Sequence, residues 1–181
     1  MGSWKQTSKE LIQQTALFRL FRVGYRSEKS GKEGHFDVLE SKDWVNVIPF
    51  TDDGHVLMVE QFRFGIGTTT LEFPAGNIEV GQTPLSAALR ELKEETGGEP
   101  VSIEFVGRCY GNPAFLNNYC HHFVASGVKL NGEQQLDEHE ELSFRKVPVG
   151  DVDALIASGA IRHSLSIATW YFHRSRQASS N

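Results

Sequence analysis

The stretch from Thr83 to Gly97 constrains this chain most, because its two ends and its interior all ask for one structure. Thr83 and Pro84 read as the N-cap and first residue of a helix, where a hydroxyl satisfies an orphan N–H and proline has no N–H to lose. Gly97 reads as the stop, at the position where helices turn left-handed. At about 100° per residue, Leu85, Ala88, Leu89, Leu92 and Thr96 fall on one face, so the helix should lie on a core.

Around that helix the pattern has a period of two. Residues 17–25 and 35–40 alternate apolar and polar across the turn SEKSGKEG, which predicts an N-terminal β-hairpin. A lone hairpin is marginal in water, so it should dock on the main domain or on a second subunit. VNVIPF (45–50) and HVLMVEQF (55–62) flank TDDG and read as a second hairpin. RFGIGTTTLEFPAG reads as a Gly-rich loop. Further strands are expected at 101–107, 119–125 and 142–147, and helices near 149–158 and 164–175. Strand groups on both sides of one helix, with more helix at the end, predict a mixed α/β sandwich. The expected division is an extension over residues 1–44 and a main domain over 45–181.

The helix carries Glu91, Glu94 and Glu95. Glu91 and Glu95 are one turn apart and fall on the edge of the apolar face, while Glu94 points further toward solvent within reach of Arg90. Two readings exist. Most Glu-rich helices are solvated faces, and the segment alone favours that. Yet like charges stacked beside a core repel each other and are poorly hydrated, and a divalent cation relieves both. Mg²⁺ accepts oxygen ligands of this kind.

Composition excludes several alternatives. A formal net charge of −5 argues against non-specific binding to a nucleic-acid backbone. Two cysteines without a CxxC pair suggest neither a zinc site nor a disulfide framework, and point to a reduced, cytoplasmic setting. No apolar run approaches the ~20 residues that span a bilayer, and MGSWKQTSKELIQQ lacks the apolar stretch of a signal peptide. Neither a membrane nor a nucleic-acid partner is expected. His121 and His122 should point to opposite faces of a strand. His163-Ser164 lacks a nucleophile-elbow pattern, and GIGTTT lacks the glycine spacing of a nucleotide loop.

The run from Gly76 to Gly97 resembles the signature of the Nudix hydrolases: Gly, five residues, Glu, seven residues, then Arg-Glu-apolar-x-Glu-Glu-x-Gly-apolar. Arg90-Glu91-Leu92-Lys93-Glu94-Glu95-Thr96-Gly97 matches at the right spacing; Gln82 stands for the first Glu and Gly98 for the last apolar residue. LEFPAG, EQFRFG, LDEHEEL and ALIASGAIRHSLSIATWYF resemble segments of the ADP-ribose pyrophosphatase branch. The resemblance implies an α/β/α sandwich with a mixed sheet, an N-terminal antiparallel β-subdomain and a homodimer exchanging it. It implies hydrolysis of nucleoside diphosphate sugars, ADP-ribose foremost, with Mg²⁺ or Mn²⁺. GDP- or UDP-sugars, capped RNA ends and a silent nucleotide-binding module are the rival readings.

By the same resemblance, Glu91, Glu95, Glu94 and the carbonyl of Ala75 hold the metal. In the acidic loop Glu138 is the base and Glu140 a supporting metal contact, with Asp137 and Glu141 beside them. Arg63 would bind phosphate. Glu72 would meet the ribose or base, or else form a salt bridge. Trp44, or Tyr25, would stack on the nucleobase or pack within the protein.

Overall fold

A computed structural model describes residues 3–136 and 141–179. The chain divides into two units, one running to Asp43 and taking in Tyr110–Tyr119, the other formed by Trp44–Cys109 and the chain from Cys120 onward.

The first unit is a three-stranded antiparallel sheet in the order β1 (Trp4–Gln14), β2 (Arg19–Ser27), β3 (Glu33–Glu40). The expected hairpin is β2–β3, with Arg22 opposite Asp37 and paired to it at 2.9 Å. Strand β1 was not foreseen. WKQTSKELIQQ is exposed along its whole length, so it pairs through its backbone and leaves no apolar alternation to read. The Leu39 N–H donates to the Phe115 carbonyl at 2.7 Å, and the Asn118 amide to the Lys42 carbonyl at 2.9 Å, which attaches the 110–119 segment to this unit.

The second unit is built on β4 (Trp44–Pro49), β5 (His55–Arg63), β6 (Thr68–Glu72), β7 (Ala75–Asn77), α1 (Pro84–Thr96), β8 (Gly98–Glu99), β9 (Ser102–Tyr110), β10 (Tyr119–Ser126), β11 (Lys129–Leu130), β12 (Leu142–Pro148), α2 (Val152–Ala157) and α3 (Ser164–Ser179). One sheet has the order β7-β4-β10-β9, a second β12-β5-β6, and β8 pairs with β11. The β4–β10 pairing is parallel and β4–β7 antiparallel, so the sheet is mixed. Alternation along the strands makes two cores. Val45, Val47 and Leu57 pack with Ala88 and Leu92 of α1, while Ile48, Val56 and Met58 pack with Val152, Ile161 and Trp170 on the other face. This is the α/β/α sandwich.

Two strand expectations need correction. The turn at Thr51–His55 forms, with Thr51 N–H on the His55 carbonyl at 2.9 Å, but beyond one bridge between Phe50 and Val56 the flanking strands separate. β4 runs beside β10, and β5 sits between β12 and β6. Val45–Pro49 of β4 and Val56–Val59 of β5 are buried without a break, and such runs need layers on both faces and neighbours on both sides, which a two-stranded hairpin does not provide. The supposed loop after Arg63 contains β6 and β7; its β-branched TTTLE pairs antiparallel with β5.

Helix α1 begins and ends where its chemistry says. Thr83 Oγ1 accepts the Ser86 N–H at 3.1 Å, Ser86 Oγ accepts the Thr83 N–H at 2.9 Å, and Gly97 sits at φ 66°. Its face is rotated from the expected one: Leu85 is 45% and Leu89 38% exposed, while Ala87, Glu91 and Glu95 are buried. The small Ala87 and Ala88 let the helix approach the strands closely, and the acids turn inward with them.

On the α3 face a polar chain crosses the core. The Cys109 thiol lies 3.1 Å from His122 Nε2, His122 Nδ1 lies 2.7 Å from Thr169 Oγ1, and Thr169 Oγ1 donates to Asn46 Oδ1 at 2.5 Å. The Asn46 amide reaches the Phe73 carbonyl at 3.3 Å. His122 therefore faces α3, opposite to His121, which sits by Phe105. Burial, reinforced by His121, pushes the His122 pKa down to about 4, so the ring is neutral.

Candidate active site

The signature residues meet where α1 crosses β7. Glu91 is 7% and Glu95 2% exposed, both on the side of the helix turned toward the Ala75–Gly76 backbone. The Ala75 N–H donates to Glu95 Oε2 at 3.1 Å. Gly76 has a positive reason to be glycine: a Cβ built there would run into the Glu91 carboxylate. Antiparallel pairing of Val45 with Gly76 and Asn46 with Ala75 fixes the height of this turn over the helix.

Arg90 organises the rest. It donates to Glu91 Oε1 at 2.6 Å, to Glu94 Oε2 at 2.6 Å and to the Asn77 carbonyl at 2.9 Å, tying the helix to the β7 strand. Partial burial acts to lower the Arg90 pKa, but Glu91 and Glu94 outweigh it and raise it. Glu94 is thus a partly exposed Arg90 partner, as its spacing implied. Gln82, the departure from the signature, closes the preceding loop: its Oε1 accepts the Glu79 N–H at 3.0 Å.

A donor set of two buried carboxylates, one turn apart and cradling a side-chain-free backbone position, fits a hard divalent cation. Among the described residues no group of three or more His, Cys, Asp or Glu side chains is placed to hold a metal, so Glu91 and Glu95 would need oxygen from the backbone, from water or from the acidic loop. Glu138 and Glu140, with Asp137, lie outside the described residues. Glu141 is exposed, immediately before β12.

Beside the acids opens a cavity of about 290 Å³ lined by Trp44, Val45, Arg63, Ala75, Gly76, Asn77, His163 and Leu165. It brings together Trp44, Arg63 and Ala75, which the sequence reading had singled out separately. Glu72 does not line it. That carboxylate is wholly buried and takes both ends of a bidentate bond from Arg63, Nε to Oε1 at 2.8 Å and Nη2 to Oε2 at 2.6 Å, with the Thr70 hydroxyl also on Oε1. Of the two roles left open for Glu72, ribose contact and salt bridge, the geometry is that of the salt bridge. Burial works to raise the Glu72 pKa; the hydrogen bonds and charge of Arg63, with the Thr70 hydroxyl, override it and hold it below the usual carboxylate range. Tyr25 belongs to the first unit, where its ring meets Phe36 edge-on at 6.1 Å.

His163 was passed over in the sequence. Its neighbour Ser164 suggested only a catalytic pair, and nothing local says that a residue at the start of α3 meets one at the end of β6.

A family profile described as NUDIX domain matches residues 41–168. An ADP-ribose pyrophosphatase of Bacillus subtilis (strain 168) is 34% identical over 130 residues, which cover 71% of this chain and 70% of that protein. The ADP-sugar pyrophosphatase of Mus musculus is 36% identical over 143 residues, 73% of this chain and 64% of that protein. A crystal structure of an ADP compounds hydrolase shares the fold, with a TM-score of 0.85 over 98% of this chain and 96% of that one at 20% identity. A profile that runs through both sheets and the capped acidic helix leaves one assignment for what the geometry has assembled: the chain belongs to the Nudix family of hydrolases.

Proposed function

We propose that this protein hydrolyses the pyrophosphate bond of ADP-sugars, ADP-ribose foremost, to AMP and a sugar phosphate, with Mg²⁺ as the preferred cation and Mn²⁺ as an effective substitute. The observation that carries the reading is a cavity lined by Arg63 and by Ala75, Gly76 and Asn77, the strand whose backbone Glu91 and Glu95 lie against. A cationic side chain on one wall and buried carboxylates behind the other suit a diphosphate bound together with divalent cations.

A bound cation would neutralise phosphate oxygens and lower the pKa of a coordinated water. Glu91 and Glu95 would hold it, with the Ala75 carbonyl as a further oxygen, and Glu94 near by on Arg90. Arg63, fixed in plane by Glu72, presents its charge to the phosphates. Trp44 offers a flat face to the base or ribose. Glu138 takes the proton of the attacking water, whose oxygen joins one phosphorus as the bridging P–O bond breaks and leaves with the other; Glu140 supports the metal. The N-terminal unit, with Trp4, Leu11, Ile12 and Phe36 exposed, serves a homodimer in the same reading. A monomer with full activity, seen by light scattering, would remove that part.

The test is phosphate release from the products by an added phosphatase. ADP-ribose should give phosphate only with a divalent cation, and faster than GDP- or UDP-hexoses or capped RNA. Binding of ADP-ribose without turnover of any of these substrates would instead make the protein a nucleotide sensor. Gln82, the one residue favouring that alternative, sits in the loop closure rather than among the acids.

A further inference from the structure

His163 stands at the cavity wall and has no part in the chemistry described so far. Its backbone is fixed as the N-cap of α3, its carbonyl accepting the Ile167 N–H at 3.1 Å. The first turn of α3 is in turn fastened to the end of β6, because the Phe73 N–H donates to Ser166 Oγ at 3.1 Å. This places the imidazole against Glu72, with Nδ1 3.6 Å from Oε2. Nδ1 is buried and makes no hydrogen bond, since 3.6 Å is too long for one. With Nδ1 enclosed, the 26% of the side-chain surface that stays open lies on the rest of the ring, in the wall of the cavity, and Nε2 is the polar atom of that part.

The tautomer follows from electrostatics. Glu72 is ionised, and a lone pair on Nδ1 would oppose the carboxylate oxygen facing it. The proton therefore belongs on Nδ1, pointing at Glu72, and Nε2 carries the lone pair. Burial holds the His163 pKa below its ordinary value; Glu72 pulls it up only in part and Arg63 pushes it down, so the ring is neutral near pH 7. The cavity thus has two unlike polar elements side by side, since Arg63 Nη2 and His163 Nδ1 both approach the same Glu72 oxygen. One is a cation suited to phosphate. The other is an acceptor, which repels phosphate oxygen and wants a donor.

We infer that His163 determines substrate specificity by accepting, through Nε2, a hydrogen bond from a hydroxyl of the sugar next to the phosphate held by Arg63. The inference rests on the proposed nucleoside diphosphate sugar substrate and deepens it. A sugar hydroxyl fits better than a base amine because the acceptor and the phosphate-binding cation share one carboxylate, so the donor must lie within a sugar's reach of the phosphate. Glu72 then has two tasks from inside the wall: it orients Arg63 as a donor and His163 as an acceptor.

The experiment compares ADP-ribose with analogues lacking one hydroxyl on either ribose. Affinity is measured by calorimetry in EDTA, with turnover followed separately in Mg²⁺. Wild type should bind one deoxy analogue about 3- to 10-fold more weakly than ADP-ribose, the worth of one neutral hydrogen bond. His163→Leu should bind the two alike, and His163→Gln, whose amide oxygen reaches as far as Nε2, should restore the difference. Wild type that treats every analogue alike, or His163→Leu that keeps the discrimination, overturns the inference. Turnover of ADP-ribose with no His163-dependent discrimination leaves the proposed activity standing and this inference lost. His163-dependent discrimination without turnover does the reverse, and absence of binding to any of the compounds removes both.

Discussion

The two faces of the central sheets both bury polar side chains, and they do so in opposite ways. Under α3, Asn46, His122 and Thr169 are neutral, and each passes a hydrogen bond to the next until the chain ends on a backbone carbonyl. Under α1, Glu91 and Glu95 carry like charges one turn apart beside the Ala75 N–H and Arg90. The first cluster is complete in protein atoms and holds two strands and a helix together. The second concentrates carboxylates in a dry place, where Arg90 and the Ala75 N–H offset part of their charge and, in the proposed reading, a divalent cation would offset more. On the proposed reading, the cluster that the fold completes serves stability, and the one that a cation would complete serves function.

The largest effect should come from removing one of the charged pair. Glu95→Gln keeps the shape and a donor–acceptor end but loses a proposed ligand of the cation. Since such contacts carry several kcal/mol of transition-state charge stabilisation, kcat with Mg²⁺ should fall by about 10²–10⁴-fold. Without metal, the melting temperature should hold or rise, because a like-charge contact is gone. A variant with a lowered melting temperature but undiminished kcat would give Glu95 a structural role and break the comparison.

Next in size is a pH effect from the other face. Folded His122 stays neutral down to about pH 4, whereas the unfolded chain takes up that proton near the ordinary histidine value of 6.5. Below 6.5 the unfolded state therefore binds more protons than the folded one, so this contribution is whole above pH 6.5 and is lost as pH falls toward 4. The full span is roughly 3 kcal/mol, about 2 of it gone by pH 5. His163 and His173, also lowered by burial, add to the slope in the same direction. Urea midpoints at pH 7 and pH 5 measure it, and His122→Asn should flatten the dependence by its own share. An unchanged slope in that variant would mean His122 does not titrate as its surroundings require.

Thr169→Val sharpens the same point more gently. It is nearly isosteric but leaves the His122 N–H and the Asn46 oxygen facing a methyl group. The loss should be about 1–3 kcal/mol, read as a lower urea midpoint, with turnover per folded molecule retained. Loss of turnover at full stability would mean that the α3 network serves the reaction.

What could be read from the amino acids follows how local each determinant is. The ends of α1 were legible because Thr83, Pro84 and Gly97 act on atoms within one turn of themselves. Glu91 and Glu95 were legible as a pair from their spacing, though only the family likeness proposes them as ligands. The Arg63–Glu72 bridge was open as an alternative, but reading 63–76 as loop hid the β5–β6 register that brings the two together. The cavity required Trp44, Arg63, Ala75 and His163 from separate elements, and no local pattern reports such a meeting. β1 escaped for a related reason: a strand whose side chains all face water pairs by backbone alone.

The smallest effect tests how α1 lies on the sheets, on which the comparison between its faces depends. The apolar stripe counted from the sequence put Leu85 in the core, where truncation to alanine costs about 2–5 kcal/mol. In the structure Leu85 is 45% exposed and the inward positions are Ala87, Ala88, Glu91 and Glu95. Leu85→Ala should therefore cost less than about 1 kcal/mol, with alanine's higher helix propensity returning part of it. Turnover should be untouched, since Leu85 is not among the residues that line the cavity. A loss in the core range would rotate the helix back toward the sequence's arrangement and carry Glu91 and Glu95 out to the rim. There their charges would be solvated, and the contrast with the α3 network would lose its physical basis.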